Sequence, residues 1–118
     1  MPNARDLDLL SNNPVIGATV IADSLAAEDT LDITPTTLGE EKNIPILVAL
    51  RARAQDIYVA QGDKSVALHT TAAQNLIIEA GATIYVVVTG ADDGYIAFER
   101  VSADGVLAAT VVGRVRSQ

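Results

Sequence analysis

Apolar and polar positions follow a two-residue period along most of the chain. Ile46 to Arg53 begins as a continuous apolar run and ends in strict alternation, with Leu50 and Ala52 on one side and Arg51 and Arg53 on the other. That is the pattern of a strand with one buried face. Runs rich in β-branched residues recur at Ile57–Ala60, Leu76–Ile78, Ile84–Thr89, Tyr95–Val101 and Val106–Val112. Each predicts a short strand. Lys64–Thr71 alternates weakly through Val66 and Leu68 and predicts an irregular one. Between Ile84–Thr89 and Tyr95–Val101 lies Gly90-Ala91-Asp92-Asp93-Gly94, which predicts a β-hairpin over Ala82–Val101 as the stable centre of the fold. Ser102-Ala103-Asp104-Gly105 predicts a second tight turn, in which Asp accepts local backbone hydrogen bonds and Gly supplies a positive φ.

The first 45 residues are less regular. Val15–Ala22 predicts a strand bent at Gly17, and Thr30–Thr34 a short strand with Leu31 and Ile33 inward, ended by Pro35. Ser24–Asp29 is either a short helix capped by Asp23 or Ser24, or a loop. Asp6–Leu10 has the makings of a helical turn, stopped by Ser11-Asn12-Asn13-Pro14. About eight short strands, with turn signals roughly every 8 to 12 residues, predict an all-β fold: a small antiparallel β-sandwich or barrel, with an extended N-terminal arm. The expected organisation is an arm with the first strands over residues 1–45, a sandwich core over 46–113 and a basic tail over 114–118.

Composition narrows the partners more than the fold. A chain of 118 residues suits one domain, and with no Cys it has neither disulfides nor cysteine-bound zinc. The formal charge is −7 and is unevenly spread. Residues 1–45 hold eight acids against two bases, and residues 46–118 hold seven against six. This balance argues against nucleic acid or an anionic membrane as a partner. It suits either a solvated surface or an acidic strip that docks on a basic one. No run of about 18 apolar residues predicts a membrane-spanning helix. The first residues lack a signal-peptide pattern, so use without Sec export is expected.

Candidate chemistry is sparse. His69 is the single imidazole, and neither Ser65 nor Ser102 sits in a nucleophile motif. Asp92 and Asp93 alone supply too few oxygens for calcium and are read as turn residues. Gly90 and Gly94 do not form a phosphate loop, because no Gly-Lys-Ser/Thr follows. No catalytic residue, cofactor or metal site is expected. A carbohydrate-binding module would need exposed aromatics, and the chain has only Tyr58, Tyr85, Tyr95 and Phe98. Arg51 and Arg53 are the charges of most interest, since both project from one strand face and Arg is enriched at interfaces. Arg100 is placed to pair with neighbours of Glu99 or with acids of the N-terminal arm.

Two stretches carry a resemblance. They are Arg51-Ala-Arg-Ala-Gln-Asp-Ile-Tyr-Val-Ala-Gln-Gly62 and Ile84-Tyr-Val-Val-Val-Thr-Gly-Ala-Asp-Asp-Gly-Tyr-Ile-Ala-Phe98, followed by Gly105-Val-Leu-Ala-Ala-Thr-Val-Val112. Over about residues 46–113 the chain resembles a loose group of small tailed-bacteriophage virion proteins. The resemblance implies a capsid decoration (cement) protein or head-fibre base. Such a protein would be a homotrimer on the outer capsid surface, made in the host cytoplasm and bound to the major capsid protein, with no catalytic residues. A head–tail, tail or receptor-binding component is the alternative within that group. Candidate subunit or capsid contacts are then Arg51 and Arg53 on the strand face and Asp6, Asp8, Leu9 and Leu10 in the arm. The arm is expected to supply most of the intersubunit contact.

Overall fold

The computed structural model describes residues 7–9, 19–42 and 44–115, the first three by backbone alone. These form nine strands: β1 (Leu7–Leu9), β2 (Thr19–Ser24), β3 (Asp29–Asp32), β4 (Ile46–Arg53), β5 (Ile57–Gly62), β6 (Leu76–Ile78), β7 (Thr83–Val88), β8 (Tyr95–Arg100) and β9 (Gly105–Val115). A single 3-10 turn at Ala72–Gln74 is the helical content of the described residues. The strands build two antiparallel sheets. In one the order is β1-β9-β4-β7, with β2 beside β1 on the same flank of β9. In the other it is β3-β8-β5-β6. The all-β sandwich expected from the alternation is therefore the fold.

The pairing is nested. β2 pairs β9, β3 pairs β8, β4 pairs β7 and β5 pairs β6, as in one long hairpin with its apex at β5–β6. Wrapping this ribbon adds the β4–β9 and β5–β8 ladders and closes the two sheets. That topology is a jelly roll. Side chains alternate accordingly: Ile46, Val48, Leu50 and Ala52 of β4 point inward and are buried. They meet Ile57, Ile78, Ile96 and Phe98 from the opposite sheet. Phe98, the one Phe of the chain, is 1% exposed and is among the largest core side chains.

Several sequence expectations change. Ala82–Val101 is not a hairpin, because β7 belongs to the five-stranded sheet and β8 to the other. The Gly90–Gly94 segment crosses between sheets instead of reversing within one. Asp93 shapes it, as its Oδ1 accepts the backbone N–H groups of Thr89 (2.8 Å) and Gly90 (3.0 Å) and its Oδ2 accepts the Thr89 hydroxyl (2.9 Å). Gly94 is needed for space and not for positive φ. A Cβ there would collide with Thr34 Cγ2 and the Gly90 carbonyl oxygen. Asp104-Gly105 likewise joins strands of different sheets, and a Cβ on Gly105 would stand 2.9 Å from Gln55 Cβ.

Residues before Ile46 are integral to the sandwich from Thr19 onward. Ile33 and Leu38 are buried in the core, and buried Ser24 accepts the Gly105 N–H at 3.1 Å. The two sheets need β2 and β3 to cover the far ends of β9 and β8, so the core does not begin at Ile46. Leu7–Leu9 is a strand against Gly113–Val115 and not a helical turn. Ser24–Asp29 holds no helix. Lys64–Thr71 is a loop, pinned by side-chain hydrogen bonds that a ladder would exclude. The tail continues β9 as far as Val115, with Arg114 ion-paired to Glu40 at 2.9 Å. Residues 15–18, Gly17 among them, and residues 116–118 lie outside the described residues.

Candidate functional site

The outward face of the five-stranded sheet carries the two arginines singled out by the alternation. Register arranges it in rows across β2, β9, β4 and β7. Asp23, Val106 and Arg53 form one row, and Ile21, Ala108, Arg51 and Thr83 the next. Thr19, Thr110, Ala49 and Tyr85 form the third, where the Thr19 and Thr110 hydroxyls bond at 2.9 Å. Leu47 opposite Val87 lies beyond. Ile21 (56%), Tyr85 (62%) and Val87 (44%) are large apolar side chains left open to solvent on this one face. Arg51 and Arg53 are exposed beside them, and among the described residues neither makes an ion pair.

Asp6 and Leu10 lie outside the described residues, and Asp8 and Leu9 fall in β1, known by its backbone register alone. Arg100 pairs instead with Asp104, in the β8–β9 turn, at 2.6 Å.

The opposite sheet is covered in part, with Leu76 and Ile77 of β6 left exposed. Its outward residues are Tyr58 and Ala60 on β5 and Tyr95, Ala97 and Glu99 on β8. The β5–β6 connection, residues 63–75, lies over part of this face, lining a recess with Tyr58 and Glu99. Val66 packs on Gly62, where a Cβ would stand 2.9 Å from Val66 Cγ2. The Leu68 N–H reaches Glu28 Oε2 at 3.3 Å. Ala97, outward by alternation, is fully buried. Asn75 clamps this cover from both sides, its Oδ1 accepting the His69 N–H (2.7 Å) and its Nδ2 donating to the His69 carbonyl (3.1 Å). His69 Nδ1 accepts the Thr71 N–H at 3.0 Å, so it serves the loop's own geometry. A recess of about 240 Å³ beside it is lined by Glu28, Tyr58 and Glu99. Among the described residues no group of three or more His, Cys, Asp and Glu is placed to hold a metal.

The end of the sandwich where the β3–β4, β5–β6 and β7–β8 connections meet holds two larger recesses, which sequence reasoning did not assemble. One, of about 400 Å³, is lined by Asp32, Thr34, Thr36, Thr37, Lys42 and Tyr95 among others. The second, about 390 Å³, is lined by Asp63, Lys64, Ser65, Ala91, Asp92 and Tyr95. Two carboxylates here are held below the usual aspartate range. For Asp32 burial opposes ionisation and is the largest single influence. The Thr34 N–H (2.9 Å), the Thr34 hydroxyl (2.7 Å) and Thr37 together outweigh it. For Asp63 the cause is the Ser65 hydroxyl (2.8 Å) and then its N–H (2.9 Å).

No family model and no curated protein sequence matches the chain. Among solved structures, a chain of the Bacillus endospore appendages, described as a novel family of disulfide-linked pili, is similar. It has 14% identity and a TM-score of 0.46 over 87% of this chain and 88% of that one. The crystal structure of FeII HppE is similar at 14% identity and a TM-score of 0.43, over 94% of this chain and 58% of that one. At these values neither bears on function.

Proposed function

We propose that this chain is a structural virion protein of a tailed bacteriophage. It acts as a capsid decoration protein that binds the outer shell surface as a homotrimer, against the major capsid protein. The outward face of the five-stranded sheet is its docking surface. One observation carries the reading: on an acidic chain, a sheet face with Ile21, Tyr85 and Val87 exposed is edged by Arg51 and Arg53. A patch of exposed apolar side chains on a sheet face suits a place where another molecule sits. Arginine beside it suits carboxylates on that partner and guides the encounter. The resemblance over residues 46–113 supplies the kind of partner. Jelly rolls recur in capsids, lectins and cupins alike, so the fold supports the reading by analogy and no further.

The test is the protein's place and number in purified particles of the phage that encodes it. Copy number in step with the major capsid protein, together with loss of shell binding by the Arg51→Glu/Arg53→Glu variant, is expected. A copy number tied to a single vertex would instead make it a tail or connector component. Absence from particles would remove the proposal altogether.

A further inference from the structure

The two recesses at the loop end share a wall, and that wall is Tyr95 with Ala91. We infer that this end of the sandwich binds a neutral oligosaccharide, with Tyr95 as the platform between two adjoining sugar subsites. The chain has two lysines, Lys42 and Lys64, and one stands in each recess. Both are exposed, and among the described residues neither is ion-paired. Each recess thus offers an ammonium with donors only, one carboxylate (Asp32) or two (Asp63 and Asp92) with acceptors only, and hydroxyls. A ring of sugar hydroxyls, each donor and acceptor at once, matches such a mixed lining. The Tyr95 side chain, half-buried, adds the apolar body and polar tip that an aromatic brings to such a site.

Charge decides against an acidic ligand. Asp32, Asp63 and Asp92 face the two lysines, an excess of negative charge on an already acidic chain. Size agrees, since each recess falls within the roughly 300–1,000 Å³ usual for small-molecule sites. The walls are also fixed in advance. The Ile33 N–H bonds the Gly94 carbonyl at 2.8 Å, tying the end of β3 to the β7–β8 connection. Asp32, Asp63 and Asp93 each hold their own loop through two or more hydrogen bonds. Binding to preformed walls avoids the cost of ordering them. The site lies on the connections and not on the five-stranded sheet's face, so it stands whether or not that face binds a shell.

The test is amide chemical-shift titration of the full chain with chitotetraose, maltotetraose and mannotetraose, and with tetragalacturonate as the anionic control. At least one neutral probe is expected to move the amides of Thr36, Thr37, Lys64, Ser65 and Tyr95 together. Tyr95→Ala should weaken that response about tenfold or more. The exposed Lys64→Ala change, which leaves the core untouched, should weaken it several-fold, so a folding defect in the tyrosine variant does not spoil the test. No response to any neutral probe, a stronger response to tetragalacturonate, or binding that both variants leave intact would overturn the assignment.

Discussion

The two outer faces of this sandwich have opposite fates. On the β3-β8-β5-β6 sheet, residues 63–75 fold back over the strands, and outward-pointing Ala97 is fully buried. On the other sheet no connection among the described residues does the same: outward Ala108 is buried too, but Tyr85 remains 62% exposed. Both faces come from strands of similar composition. What separates them is where one long connection, the 13 residues between β5 and β6, is laid. A face that the chain covers for itself is used for stability, and one it leaves apolar and open is available to another molecule.

The sharpest way to break this contrast is a matched pair of substitutions. Ala97→Asp places a carboxylate where its neighbours are Ala60 and Thr30, and should cost more than about 3 kcal/mol in urea unfolding. Ala49→Asp, at the corresponding outward position of the open sheet, should cost less than about 1 kcal/mol. Equal costs would mean that the cover does not seal its sheet. Asn75→Ala removes both clamps on His69 and should cost about 1–2 kcal/mol. Native-state hydrogen exchange should then speed up at the amides of His69 and Thr71 while the β4 amides stay protected.

Asp32 gives a smaller, pH-dependent effect at the tip of the covered sheet. Its carboxyl titrates below the ordinary aspartate range in the folded chain, so the unfolded state takes up the proton first as pH falls. The stabilisation is present at neutral pH and is lost as the pH drops through the folded value. Asp32→Asn should lower neutral stability and flatten the acid limb of the stability curve. An unchanged acid limb would show that the Thr34 and Thr37 contacts are not holding the anion. Arg51→Glu/Arg53→Glu should change stability least, by about 0.5 kcal/mol or less, while reducing shell binding tenfold or more.

Which parts of this were readable in advance follows from range. Strand positions are local: Ile46–Arg53 and Leu76–Ile78 fall where alternation and β-branching put them, and Tyr95–Arg100 differs by one residue. The sheet that each strand joins is not local. Strand–turn–strand reads as a hairpin, yet Gly90–Gly94 serves a crossing between sheets because Thr34, about 60 residues away, comes close to Gly94. Leu7–Leu9 is too short for its alternation to announce a strand, and its partner Gly113–Val115 lies over 100 residues away. Arg51 and Arg53 were visible because a period of two places them together. The Tyr95 recesses were not, because three connections distant in sequence build them.

Nested pairing also orders the events by which the chain finds its fold. Each pair that forms shortens the loop the next pair must close, so the entropic cost is lowest from β5–β6 outward to β2–β9. Weakening Val59 or Ile78 at the apex should slow refolding, whereas weakening Val20 or Ala109 at the outer pair should chiefly hasten unfolding. A ribbon closed in this sequence delivers β9, and with it the middle of the open face, last.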